Sequence, residues 1–93
     1  MKFEWDMDKA TANAAKHGIT FDEAATVFYD PSGLLIADPD HSTIEERALL
    51  LGYSDRSRLL LVVHVEHDAE FIRIISARRA THTESLHYHR RLG

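Results

Sequence analysis

Three apolar runs, Glu45–Tyr53, Leu59–Glu66 and Phe71–Arg78, are separated by only five residues (Ser54–Arg58) and four residues (His67–Glu70). Connections that short admit hairpins and exclude crossovers, because a parallel pair needs roughly a dozen residues or more between its strands. The C-terminal half is therefore an antiparallel meander. A shorter apolar run, Leu34–Ala37, precedes it, followed by the turn-forming Asp38-Pro39-Asp40-His41-Ser42. At the N-terminus Phe3-Glu4-Trp5 alternates as a strand does and meets Asp6, a residue suited to open a helix.

Helical signals fill the remainder. Lys9 to Lys16 is Ala-rich and stops at His17-Gly18, and Thr20 to Glu23 has the spacing of a capping box before the apolar stripe Phe21, Ala24, Val27 and Phe28. That second helix ends near Asp30-Pro31-Ser32-Gly33. Thr81 and Glu84 repeat the capping-box spacing, so His82 to about Arg91 reads as a C-terminal helix. The expected architecture is α+β: an antiparallel sheet, two early helices on one face, and a C-terminal helix. At 93 residues this is one domain, residues 1–93, that buries only about 60% of its unfolded surface. With no Cys it has neither a disulfide to supplement that core nor a thiol nucleophile or zinc ribbon. The longest apolar stretch, Leu59 to Val63, is far shorter than the ~20 residues of a spanning helix, and the N-terminus lacks the pattern of a leader. The expectation is a soluble cytoplasmic protein without membrane contact.

Charge is unevenly distributed. Residues 1–70 hold six Lys and Arg against fourteen Asp and Glu, a net −8, whereas residues 71–93 hold five Arg against Glu84, a net +4. The basic end suits phosphate, and the acidic remainder suits a basic partner.

Turns of even length would pair Tyr53 with Arg58 and His67 with Glu70, and parity then assigns the faces. One face would carry Ala48, Leu50, Leu61, Val63, Val65, Ile72 and Ile74 beneath the helices. The other would place Arg47, His64 and Arg73 in one row, with Glu45, Glu66 and Phe71 in the next. Two guanidiniums and an imidazole in a row would favour an anion there, and phosphate fits the planar fork of arginine. RNA cleavage without a metal needs such groups: cations to steady the phosphorane, and proton donors and acceptors at the attacking and leaving oxygens. On this reading Arg73 and Arg47 bind the scissile phosphate, His64 transfers the proton, and Glu45 is the alternative base or an ion-pair partner of Arg47. Phe71 would stack on a base, and Arg78 or Arg79 would extend the cationic track. Alternating polar residues also line ordinary solvated sheet faces. No metal or other cofactor is expected: His87 and His89 point to different sides of a helix, and HExxH, GxGxxG, P-loop and nucleophile-elbow patterns are absent.

Taken together, Phe3-Glu4-Trp5-Asp6, Lys9, Asn13, Lys16-His17-Gly18, Phe21, Glu23-Ala24 and Val27-Phe28 resemble the N-terminal half of BrnT-type toxins. Asp38 to Ser42, Glu45-Glu46-Arg47, Gly52, Leu60 to His64, Ile72 to Thr81, Glu84 and Tyr88 continue the likeness over essentially the whole chain. The resemblance implies a ribonuclease toxin of a type II toxin–antitoxin pair with a RelE-like fold, acting on RNA and inhibiting translation. It implies a BrnA-type antitoxin as partner, through which operator DNA would be contacted only indirectly. It also points to Arg73 and to Arg78 or Arg79 as positions that hold RNA. Two rival readings are a non-catalytic module acting as co-repressor with its antitoxin, and a nucleotide-binding enzyme, which the missing glycine-rich loop disfavours.

Overall fold

The computed structural model describes residues 1–37, 47–68 and 70–93. The elements are β1 (Lys2–Glu4), α1 (Met7–His17), α2 (Phe21–Thr26) running into a 3-10 turn (Val27–Tyr29), β2 (Leu34–Ala37), β3 (Ala48–Tyr53), β4 (Leu59–Glu66), β5 (Phe71–Arg79) and α3 (His82–Arg90). The Asp38–Ser42 turn and Glu45 lie outside the described residues.

The caps explain the helix boundaries. Asp6 accepts a hydrogen bond from Lys9 N at 3.0 Å to open α1, and Gly18 closes it at φ 71, a left-handed conformation that glycine adopts without a Cβ penalty. Thr81 and Glu84 form the complete reciprocal box that opens α3. Thr20 and Glu23 form half of one: Thr20 Oγ1 accepts from Glu23 N at 3.1 Å, but the Glu23 carboxylate leaves for the β3–β4 turn. There it takes Ser54 Oγ at 2.7 Å and Arg58 Nε at 2.8 Å.

In the sheet the strands run β1-β5-β4-β3-β2, antiparallel except that β1 joins β5 in parallel. The sheet is thus mixed rather than wholly antiparallel. β1 reaches only as far as Arg73 along the β5 edge. Farther along, α1 replaces it: the Asn13 amide donates to Ala77 O at 2.9 Å and to Ile19 O at 3.0 Å, and accepts from Ala77 N at 3.1 Å. Side-chain groups thereby satisfy backbone that a longer strand would have paired. Ile19, Phe21, Ala24 and Val27 bury one face by packing on Leu50, Leu60, Val62, Ile74 and Ala77. Each large apolar side chain so buried contributes about 1.5–3 kcal/mol.

The turns are odd, not even. Ser54 N donates to Arg58 O at 2.9 Å and Ser57 N to Ser54 O at 3.0 Å, with Ser57 at φ 59. This is a three-residue loop ending in a left-handed residue, and it pairs Tyr53 with Leu59. In the second hairpin His67 N donates to Phe71 O at 3.0 Å, while Asp68 Oδ1 accepts from Glu70 N at 2.7 Å and Phe71 N at 3.1 Å. Each turn shifts the register by one residue, so β3 and β5 remain in phase and β4 alone is turned over. Leu60, Val62 and His64 face the helices, and Leu61, Val63 and Val65 face away. A bulge at Val63/His64 leaves Ile75 without a partner, and it restores Ala77 to the helix-covered face.

His64 is therefore a core residue at 0% exposure, and the expectation that it shares a row with Arg47 and Arg73 is overturned. Phe28 packs on its ring at 4.8 Å, Nδ1 lies 3.4 Å from Val62 O, and Nε2 has no hydrogen-bond partner among the described residues. Burial holds its pKa below the ordinary 6.5. Below pH 6.5 the unfolded chain takes up a proton that the native imidazole resists, so stability falls as pH drops through that range. His64→Leu is expected to raise stability by about 1–2 kcal/mol at pH 7, because it removes an unpaired buried polar atom. The gain is expected to widen at pH 5. Urea unfolding at both pH values checks this, and a gap independent of pH would contradict it.

Candidate active site on the open sheet face

On the face opposite α1 and α2, Tyr88 of α3 packs over the Leu51 and Leu61 end. Asp30 anchors that helix, accepting from Tyr88 O–H at 2.7 Å and from Tyr53 N at 2.8 Å. Burial, and then the carboxylate, push the Tyr88 hydroxyl up to about 12. Gly52 permits the arrangement, since a Cβ there would lie 3.0 Å from Val27 Cγ1 and 3.1 Å from Asp30 Oδ2. Tyr53 O–H and His89 Nε2, 2.8 Å apart, hold the last turn of the helix.

The other half of this face carries the exposed Phe71 and the half-buried Arg73, with Val65 buried at 6% exposure beside Arg73. Register pairs Glu4 with Arg73 and Arg73 with Val65, and the alternation of β3 continued one residue before Ala48 puts Arg47 beside Val65. The neighbouring row pairs Lys2 with Phe71, with His67 beside Phe71 across the hairpin end. Lys2 Nζ lies 5.6 Å from the centre of the Phe71 ring, and His67 Nδ1 lies 3.0 Å from Glu4 Oε1. Among the described residues, three cationic side chains, Lys2, Arg47 and Arg73, thus share a surface with the Glu4 carboxylate and the His67 imidazole. The field of Arg73 extends to Asp6, whose pKa is lowered chiefly by the Lys9 backbone N–H and in smaller part by Arg73. Such a surface attracts an anion, and its guanidiniums can fork onto phosphate oxygens.

The structure thus sets Arg73 and Phe71 in adjoining rows of one face, toward which the alternation of β3 also turns Arg47 two strands away; it buries His64 on the reverse side and places Arg78 and Arg79 elsewhere. Arg78 is committed: it makes a bidentate pair with Glu84 at 2.8 and 3.0 Å, which ties β5 to the start of α3. That pair raises the Arg78 pKa and lowers that of Glu84. Arg79 is exposed, roughly 20 Å along β5 from Arg73 at ~3.3 Å per residue. It lines a cavity of about 300 Å³ with Tyr53, Ser57, Arg58 and Ser85, so the arginines do not form one continuous track. A larger cavity of about 460 Å³ is lined by Asp30 and Asp55 with Thr26, Tyr29, Tyr53 and Ser54, an acidic setting unsuited to a polyanion. Among the described residues no group of three or more His, Asp or Glu could hold a metal ion. Sequence reasoning missed His67 and Glu4 as members of this surface. The odd second hairpin, which moves His67 onto the face of Arg73, carries no glycine that would have signalled it.

A sequence model of the family described as "Ribonuclease toxin, BrnT, of type II toxin-antitoxin system" matches residues 5–84. The chain belongs to the BrnT ribonuclease toxin family. A type II toxin has an antitoxin counterpart, so membership implies such a partner. The crystal structure of the Brucella abortus ribonuclease toxin BrnT is similar to this chain, with a TM-score of 0.66 and 24% identity over 87% of this chain and 97% of that one. The α+β architecture is thus a BrnT architecture. No curated protein matches the chain. Arg47, His67, Phe71 and Arg73 all fall inside the family match, whereas Lys2 and Glu4 precede it. Among the described residues no helix is long and apolar enough to cross a membrane.

Proposed function

We propose that this BrnT-family chain is a metal-independent endoribonuclease, a single toxin domain over residues 1–93. It inhibits translation by cutting RNA in the cytoplasm, and a BrnA-type antitoxin neutralises it. What supports the reading is that Arg73 and Phe71 occupy adjoining rows of one sheet face, with Arg47 on the same side by the alternation of β3. Arg73 and Arg47 hold the scissile phosphate and stabilise its added charge, and Phe71 offers a ring on which a base stacks. His64 has no part in this reading because substrate does not reach it, and Glu45, outside the described residues, carries none of it. Operator DNA is contacted through the antitoxin, for which the acidic surface of residues 1–70 supplies a complementary face to a basic partner.

Incubating the purified chain with RNA in chelator tests the chemistry, and expression with and without the neighbouring antitoxin tests the biology. Cleavage in chelator, together with growth arrest relieved by the antitoxin, is the expected result. Cleavage that needs an added divalent cation would remove metal independence. No cleavage and harmless expression would favour the co-repressor module instead.

A further inference from the structure

We infer that His67 is the proton-transferring catalytic residue of this surface and that Glu4 is its positioning residue, an inference that rests on the ribonuclease reading above. The geometry draws on three neighbouring strands. Glu4 on β1 is the register partner of Arg73 on β5, and His67 follows β4 directly, its N–H bonded to Phe71 O at 3.0 Å. The carboxylate meets the ring at Nδ1, 3.0 Å from Glu4 Oε1. A carboxylate only accepts, so the neutral ring carries its proton on Nδ1 and keeps the Nε2 lone pair for a substrate. The His67 side chain is 44% exposed, so a ligand lying on Arg73 can reach it, in contrast to the sealed His64.

The pair is not what closes the hairpin. Asp68 does that, by accepting from the backbone N–H groups of Glu70 and Phe71. A half-exposed ion pair also adds little to folding. Its position, with Glu4 the register partner of Arg73 and His67 one row along, rather than its contribution to stability, distinguishes it.

In the step that follows from this geometry, Nε2 takes the proton of a ribose 2′-hydroxyl. The 2′-oxygen forms a bond to the adjacent phosphorus as the bond from phosphorus to the 5′-oxygen breaks. The departing oxygen takes a proton from water, and the resulting hydroxide receives the proton of the imidazolium. The products are a 2′,3′-cyclic phosphate and a 5′-hydroxyl, with no oxidant, metal or net water consumed. Glu4 steadies the imidazolium while it exists. Among the described residues, Glu4 of β1 meets the ring, and the register sets Lys2 of β1 and Arg73 of β5 on the same side of the sheet.

The test is single-turnover cleavage of a short RNA in chelator, followed against pH, for the wild type, His67→Ala, Glu4→Gln and Arg73→Ala. His67→Ala is expected to slow cleavage by on the order of a hundredfold or more, to flatten the acid limb of the profile, and to recover activity with added imidazole. Glu4→Gln is expected to lower the cleavage rate about tenfold without changing RNA affinity or the urea midpoint, a response that loss of a merely structural contact would not produce. Wild-type rates and profile in His67→Ala, while Arg73→Ala is inactive, would overturn this inference and leave the ribonuclease reading standing. A slow His67→Ala that imidazole does not rescue and whose pH profile is unchanged would also overturn it. Absence of cleavage by the wild type would overturn both.

Discussion

Arg73→Ala is expected to slow RNA cleavage by on the order of a hundredfold or more, equivalent to about 3 kcal/mol of lost transition-state stabilisation, while leaving folding nearly unchanged. Arg73 sits mid-row on the open face, flanked by Glu4 and Val65, and among the described residues its guanidinium makes no ion pair. Truncating it therefore leaves no buried partner unsatisfied. The half-buried stem gives up only modest apolar packing. Arg73→Lys is the informative companion: it keeps the charge and loses the fork, so activity between that of alanine and wild type is expected. The measurement is kcat and KM on RNA, together with a urea midpoint for each variant. A wild-type kcat/KM in Arg73→Ala would remove this face from the chemistry.

Glu23→Ala is expected to destabilise the native state by about 3–5 kcal/mol at pH 7. The Glu23 side chain is 3% exposed and that of Arg58 is 23% exposed, and the two form a bidentate pair to which Ser54 Oγ adds its hydrogen bond. Removing the carboxylate strands a partly buried guanidinium and a buried hydroxyl together. Arg58 holds the Glu23 pKa below its ordinary 4.5. The stability this contributes is therefore present above about pH 4.5 and lost as pH falls through the lower native value. Wild type and variant are thus expected to converge in acid. Urea unfolding at pH 7 and at pH 3, with Arg58→Ala and the double variant completing a cycle, measures the coupling. A cost below about 1 kcal/mol at pH 7 would show that the pair behaves as a surface contact. The consequence is larger than one bond, because Ser54 and Arg58 form the base of the turn that sets the β3–β4 register.

That turn marks where sequence reasoning stops. The elements themselves were legible: apart from β3, which begins at Ala48 rather than Glu45, alternation, capping residues and Gly18 delimit the helices and strands to within a residue or two, since those signals are local. The pairing of Arg47 with Arg73 on one face was also reached, although through two register errors that cancelled between β3 and β5. Ser57 takes a left-handed conformation without being glycine, and Asp68 turns the second hairpin with its side chain, so neither loop announced its parity.

Residue type and spacing by themselves determined an α+β meander, its helix caps and a cationic sheet face, because these depend on backbone preferences and on periods of two and 3.6 residues. Only the tertiary structure decided that β4 is inverted, that His64 is sealed beneath Phe28 while His67 meets Glu4 one row from Arg73, and that Glu23 leaves its own helix cap for Arg58. The physical reason is that a one-residue change in a loop reverses every side chain of the strand beyond it. Which loop forms is settled by contacts between residues far apart in the chain.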